Sequence, residues 1–302
     1  MPSNPFNVIP APLRGVFFML VSTVLFTGMQ VTVRQVSEEL HPFEIAFFRN
    51  FFGLLVVSPL LFRFGFGALQ TPKLKLHALR GALQTAGMML FFTALTLAPL
   101  AQTVALSFTA PLFTTILAIV VLRERAGWRR WAALIAGFVG AWIVIRPGLA
   151  VVNTGALLVI LSSCVWAGSM IIIKILSRTE SSLTITLYMG LFMAPLSLIP
   201  ALFVWQWPGG QALMFLMLVG AFGGVGHLAL AQAFKESDAT AVLPYDFTRL
   251  IWASALGFLV FAEVPDLWTW IGGSVIFSST VYIAFRETRL KKDGTALRPA
   301  QS

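Results

Sequence analysis

Apolar residues run through this chain in blocks of about twenty, separated by short polar turns carrying Arg, Lys, Pro and Gly. A helix rises ~1.5 Å per residue, so each block is long enough to cross the ~30 Å hydrocarbon core of a bilayer. The pattern predicts ten spans, at residues 13–33, 43–62, 77–97, 100–122, 128–146, 154–176, 183–205, 211–233, 240–261 and 267–286. The linkers are too short for an extramembrane domain. Residues 287–302 read as a polar, basic, disordered tail. The first block lacks a convincing small-residue cleavage site, so it reads as a retained helix rather than a signal peptide.

The blocks repeat. Gly81-Ala82 recurs as Gly220-Ala221, Gly87 as Gly226, Ala94 as Ala233, Phe108-Thr109 as Phe247-Thr248 and Glu124 as Glu263, all at a spacing of 139. At a spacing of 140, Gly15 pairs with Gly155, Phe26 with Trp166 and Arg34 with Lys174. The halves are 13–146 and 154–286, each with five spans. An odd number makes the two copies cross the bilayer in opposite directions, the plan of many secondary transporters.

Composition agrees with immersion in lipid. The 302 residues are 58% hydrophobic and 11% charged, against ~25% charged for a soluble domain. The single cysteine, Cys164, excludes disulfides and Cys-based zinc sites within the chain. The net charge of +9 could suggest nucleic acid, but the basic residues are scattered among short loops, which argues against it. With the N-terminus inside, 17 Lys and Arg fall on inner segments and only Arg34 and Arg146 on outer ones. This positive-inside bias predicts cytoplasmic N- and C-termini. Trp128 and Trp131 then lie near the inner surface, and Trp205, Trp207, Trp268 and Trp270 near the outer, as interfacial anchors.

Several polar groups lie at membrane depth, where they are costly and invite a functional question. Arg49 sits a third of the way into the second span, five residues after Glu44, so the two do not share a helix face. It either binds a ligand or snorkels to neighbouring carbonyls. Asp246 and Arg249, three apart, can meet on one face of the ninth span. They form a self-neutralised pair or, with Tyr245, Thr248 and Trp252, a substrate surface. In the fourth span, Pro111 cannot donate to the carbonyl of Ser107, and Pro244 similarly frees the carbonyl of Thr240. Two helices broken at corresponding places in the two repeats point to a transport site. Thr103, Ser107 and Thr109 add hydroxyls there. Trp166 is central in the sixth span, where it either packs or stacks on a substrate. His227 either relays a proton or serves as a structural hydrogen-bonding group.

Other features read as packing. Gly220, Gly223, Gly224 and Gly226 thin one face of the eighth span, as Ala133 and Gly137 do in the fifth. Glu124 and Glu263 precede the next helix, where a carboxylate favours the macrodipole.

The segments HPFEIAFFRN, LRGALQTAGMMLFF, ALSFTAPLF, PYDFTRLIWA, VVLRERAGWRRWAALIAGFVGAWIVIRPG and LVFAEVPDLWTWIGG resemble the EamA branch of the drug/metabolite transporter superfamily over residues 13–286. They look closest to bacterial members assigned to riboflavin or S-adenosylmethionine. The resemblance implies an inverted five-plus-five fold with a central cavity, lined by helices 1–4 and 6–9 and supported by helices 5 and 10. It carries over Arg49 in helix 2, and Thr109 and Pro111 in the broken part of helix 4. Many relatives repeat a Thr-Ala-Pro-like element in helix 9; here Thr248, Arg249 and Leu250 stand there, so a cation breaks the symmetry.

The expectation is therefore an all-α inner-membrane transporter that carries a small organic metabolite by alternating access. Arg49, Ser107, Thr109, Trp166, Tyr245, Asp246, Arg249 and Trp252 are its candidate substrate contacts, His227 a candidate proton carrier, and Pro111 and Pro244 the helix breaks. No cofactor or metal is expected, and the oligomeric state is left open, a monomer being compatible with the sequence. A channel would need like-charged rings or filter loops. A polytopic enzyme would need clustered acids or histidines, whereas His41, His77 and His227 lie on three different elements.

Overall fold

A computed structural model of the chain describes residues 10–64, 71–124, 126–146, 153–180, 182–237 and 239–292. Twelve helices form the molecule: α1 (Ala11–Val36), α2 (Pro42–Phe64), α3 (Leu74–Leu97), α4 (Leu100–Ser107), α5 (Ala110–Val121), α6 (Trp128–Ile145), α7 (Thr154–Leu176), α8 (Ser182–Leu202), α9 (Gly210–Glu236), α10 (Ala239–Asp246), α11 (Thr248–Phe261) and α12 (Leu267–Lys292). They fall on the ten predicted spans, with the fourth divided into α4 and α5 and the ninth into α10 and α11. Among the described residues, seven stretches are long and apolar enough to cross a membrane, and Leu187–Leu202 is a shorter apolar helix. The described residues form an all-helical, multi-pass membrane bundle. The last helix continues to Lys292, into the stretch expected to be disordered; residues 293–302 of that tail lie outside the described residues.

Prolines mark several entries into helix. Pro42 opens α2, Pro99 precedes α4, and Pro111 stands in the first turn of α5, where the missing N–H costs no hydrogen bond. Asn153 Oδ1 caps α7 by accepting from Gly155 N at 2.7 Å.

The repeat seen in the sequence is a repeat in space. Ser22 Oγ on α1 donates to Gly226 O on α9 at 3.0 Å. Ser162 Oγ on α7 donates to Gly87 O on α3 at 2.7 Å. A Cβ on Gly15 would meet Ser237 at 2.6 Å, and one on Gly155 would meet Ala98 at 2.7 Å. Every one of these contacts maps onto its partner when the repeats are exchanged. The packing obeys the same exchange: α1 on α9 and α7 on α3, α2 on α9 and α8 on α3, α1 on α11 and α7 on α5. The pairs α2–α8 and α6–α12 map onto themselves and so straddle the pseudo-axis.

The same contacts fix the relative direction. The start of α7 rests on Ala98, whose carbonyl accepts from Arg34 Nη1 at the end of α1. The repeats therefore begin at opposite ends of the bundle.

Glycine sets the closest approaches. A Cβ on Gly140 of α6 would lie 2.8 Å from Gly272 O of α12. Gly220 of α9 faces Phe52 and Gly53 of α2, Gly223 faces Arg49 and Met29, and Gly226 faces Phe26. Gly137 of α6 faces Leu112 of α5. The tryptophans divide. Trp128, Trp131, Trp207 and Trp268 are exposed, whereas Trp205 and Trp270 pack against the core.

Candidate functional site

The two broken spans meet. Both leave the helix at the Phe-Thr step that the repeats share, with Phe108 and Thr109 between α4 and α5, and Phe247 between α10 and α11. Short turns bridge the gaps, with Thr109 N donating to Leu106 O at 3.0 Å and Leu250 N to Phe247 O at 2.9 Å. The Phe108 and Phe247 rings stack across the repeats, centroids 6.1 Å apart at 30°. Phe277 of α12 closes on both, at 5.5 Å and 4.7 Å. Thr280, one turn on, shares its hydroxyl between Ile276 O of its own helix at 3.0 Å and Phe108 O at the break at 3.3 Å.

The two prolines stand differently to the breaks. α4 ends at Ser107, the residue whose carbonyl Pro111 cannot serve, and Pro111 itself sits in the first turn of α5, where it fits as a helix starter. Pro244 lies inside α10, upstream of the break at Phe247.

Arg249 stands at this junction. Its Nη2 donates to Ser107 Oγ of the other repeat at 3.5 Å, its Nε is 3.4 Å from Asp246 Oδ1, and its Cζ lies 5.3 Å over the Phe108 ring. The expected pairing with Asp246 is present, but the guanidinium also reaches across to the first break. A cation over a ring in a dry setting is attracted by ~1–2 kcal/mol. Ser107 donates its own proton to Val104 O at 2.7 Å, so its oxygen is left to accept. Thr109 is fully buried and donates to Leu106 O at 2.7 Å, so its hydroxyl holds the turn. Its counterpart Thr248 faces Thr23 of α1, oxygens 3.0 Å apart. Tyr245 and Trp252 are among the more exposed aromatics, at 41% and 38%.

The other candidates occupy separate places. Arg49 of α2 is buried against Gly223 of α9, a glycine that Met29 of α1 also approaches, and its Nη1 donates to Asn50 Oδ1 at 3.1 Å. Asn50 in turn donates to Ser197 Oγ of α8 at 3.1 Å. One reason for the glycine face of α9 is thus to seat a guanidinium as well as a neighbouring helix. His227 of α9 meets the Phe26 ring edge-on, centroids 4.9 Å apart. Trp166 of α7 passes Gly87 of α3 with its backbone N and Cβ, whereas Phe26 lays its ring on Gly226, and the buried indole Nε1 of Trp166 has no hydrogen-bond partner among the described residues. Arg49 and Arg249 are therefore two stations, one between α1, α2 and α9 and the other between α4 and α11.

Sequence reasoning did not single out Asn50, Ser197, Thr23 or Thr280. Thr23 had a signal available, since a spacing of 140 places it opposite Ser163, and Asn50 is next to Arg49 in the chain; the contacts of Ser197 and Thr280 with the site join distant helices. A groove of about 400 Å³ opens between α6 and α12, lined by Trp128, Ala133, Ala136, Ser278 and Tyr282 among others. It contains none of the candidate substrate contacts. Among the described residues, no cluster of His, Cys, Asp or Glu could hold a metal ion.

Comparison with known proteins fits this geometry. The model of the EamA-like transporter family matches residues 13–146 and 153–285. An S-adenosylmethionine uptake transporter of Rickettsia felis is 33% identical over 92% of this chain and 94% of its own length. A riboflavin transporter of Vibrio cholerae is 32% identical over 92% of this chain and 95% of its own. A crystal structure of 18% sequence identity superposes with a TM-score of 0.61 over 93% of this chain and 98% of the other, which shows a shared fold. The matched segments are the two repeats that meet at Phe108 and Phe247, and the chain belongs to the EamA-like transporter family.

Proposed function

We propose that the protein is a secondary transporter that moves a small organic metabolite across the cytoplasmic membrane by alternating access, its two repeats rocking about the junction of the broken spans. The observation that carries this reading is the contact of Arg249 with Ser107 and Phe108. It sets a charged, hydrogen-bonding side chain between two helix interruptions of opposite repeats, the arrangement expected where a carrier holds its substrate. Arg249 and Arg49 bind or orient the substrate. Ser107, Tyr245 and Asp246 supply hydrogen bonds, Thr109 holds the turn that presents Ser107, Trp166 and Trp252 supply flat walls, and His227 a group able to carry a proton.

The relatives named for uptake of S-adenosylmethionine and transport of riboflavin make organic metabolites the substrate class to test first. Both termini face the cytoplasm in this reading, which the distribution of Lys and Arg supports. Transport rather than catalysis is the activity.

Purified protein in liposomes tests the mechanism. Flux of S-adenosylmethionine, riboflavin, or a metabolite identified by comparing cells that lack and overproduce the protein should saturate and accelerate with substrate on the far side. Flux that neither saturates nor accelerates indicates a channel.

A further inference from the structure

Each end of the bundle carries a carboxylate that ties one repeat to the other, and neither belongs to the proposed substrate contacts. At one end, Glu263, just past α11, holds two elements of the first repeat. Its Oε1 lies 2.5 Å from Arg34 Nη2 at the end of α1, and its Oε2 accepts from Leu100 N at 2.9 Å. Leu100 is the first residue of α4, so that N–H has no partner inside its own helix. At the other end, Glu124, just past α5, lies 2.5 Å from Lys174 Nζ at the end of α7 and 3.4 Å from Arg130 Nη2. The stretch of α7 from Thr154 to Lys174 separates the two clusters by ~30 Å.

The clusters are copies. Glu124 and Glu263 correspond, as do Arg34 and Lys174. Arg123 and Ala262 precede the carboxylates with φ of 53° and 54°, a left-handed conformation uncommon for residues other than glycine. It turns each glutamate back, so that Glu124 N donates to Ala118 O at 3.3 Å and Glu263 N to Gly257 O at 3.1 Å. Two helix ends are thus bent in the same way to aim a carboxylate at the opposite repeat.

We propose that these clusters are the two gates of the carrier: Arg34–Glu263–Leu100 N closes one end, Lys174–Glu124–Arg130 closes the other, and each breaks when its end opens. The proposal rests on the alternating-access reading. Rocking separates the repeats at one end while holding them at the other, and these are ties between repeats at the ends. The first gate also reaches the site. Glu263 holds the first residue of α4, and the last residue of α4 is Ser107, which Arg249 touches. Releasing Leu100 N frees a half-helix that carries a substrate contact on its far end. The gates are unequal, because the Lys174 side chain is 44% exposed and that of Arg34 21%. Solvent screening weakens the former, so the Lys174 end opens more readily at rest.

A cysteine reporter tests this without knowledge of the substrate. Cys164 is the chain's single cysteine, so Cys164→Ala with Ser107→Cys leaves one thiol at the junction. Its reaction with a membrane-impermeant maleimide is timed in right-side-out and inverted vesicles. Glu263→Gln should speed labelling about tenfold from the Arg34 side alone, the shift that follows from losing about 1.4 kcal/mol. Glu124→Gln should speed it from the Lys174 side alone. Arg34→Lys and Lys174→Arg keep the charges and should stay within about twofold. If a Gln variant does not reach the membrane, the shorter Glu263→Asp or Glu124→Asp should give a smaller rise on the same side.

A thiol reached from both sides but indifferent to these substitutions, or accelerated on the wrong side, overturns the gates and leaves the carrier standing. A thiol reached from one side alone in every variant overturns the carrier reading and the gates with it.

Discussion

In the fourth span the chain leaves the helix at Phe108-Thr109 and re-enters it with Ala110-Pro111; in the ninth it leaves at Phe247 and re-enters with Thr248-Arg249-Leu250. The backbone event is the same and the two phenylalanines touch. The side chains beyond it differ. The first break offers a hydroxyl at Ser107, a starter proline and a small alanine. The second offers a carboxylate and a guanidinium. The shared Phe-Thr step makes a joint, and the unshared Asp246 and Arg249 give one side of that joint its chemistry. A pseudo-symmetric scaffold thereby acquires an asymmetric site without asymmetry in its packing.

The largest expected effect comes from removing that asymmetry. Arg249→Gln should lower transport by about 100-fold or more, since a hydrogen bond from a charged group is worth ~1.5–3 kcal/mol and substrate contacts are lost together. Membrane levels should stay near normal on a blot; an equal loss of protein would instead assign Arg249 to structural pairing with Asp246.

Packing at the axis comes next. Gly272→Leu forces a side chain into the α6–α12 contact, where even a Cβ on Gly140 would lie 2.8 Å from Gly272 O. Overpacking of this kind costs ~1–3 kcal/mol or more, seen as a lower melting temperature in detergent. In the same assay Gly87→Ala should be mild, because its nearest neighbour is 3.5 Å away, and Gly226→Ala worse, because Phe26 is at 3.1 Å.

Smaller still, Ser22→Ala and Ser162→Ala should each cost ~1 kcal/mol, one hydrogen bond. A clear inequality would show that the copies do not share the load.

The smallest effect is on pH. Burial alone would raise the Glu124 carboxyl, but Lys174 and Arg130 outweigh it and hold the group below its usual range. A depressed carboxylate stabilises fully above the unfolded value of ~4.3 and loses that contribution as pH falls through the folded value. Lys174→Met should therefore reduce the acid sensitivity of the melting temperature below about pH 5; an unchanged profile removes Lys174 from the cluster.

Much of the scaffold was legible in the sequence because lipid imposes length on helices and duplication leaves matched residues. The spans, their five-plus-five division and the glycine approaches follow from those two facts. The breaks were legible by region only. Pro111 marks the first break through its missing bond to Ser107, where α4 ends; Pro244 lies inside α10, and the second break comes at Phe247, which packs on Phe108 and Phe277 across the repeats. The same limit applies to Glu124 and Glu263. In the sequence each precedes the helix that follows it; in space Glu263 caps α4 of the other repeat and Glu124 pairs with α7. Arg49 illustrates the reverse, since its hydrogen-bonding neighbour Asn50 is adjacent in the chain, whereas its seat on Gly223 is 174 positions away. Matching positions between repeats was the useful signal, and residues that differ there pointed to the junction more directly than either proline.

The most direct test compares the two copies of one position. Arg249→Gln and Ala110→Gln place the same side chain at corresponding sites of the two breaks, and transport of the metabolite that accumulates with expression is measured for both. The account predicts that Arg249→Gln abolishes transport while Ala110→Gln retains at least about a tenth of it, the allowance for overpacking of ~1.4 kcal/mol. Equal loss in the two variants, or survival of transport in Arg249→Gln, would contradict it.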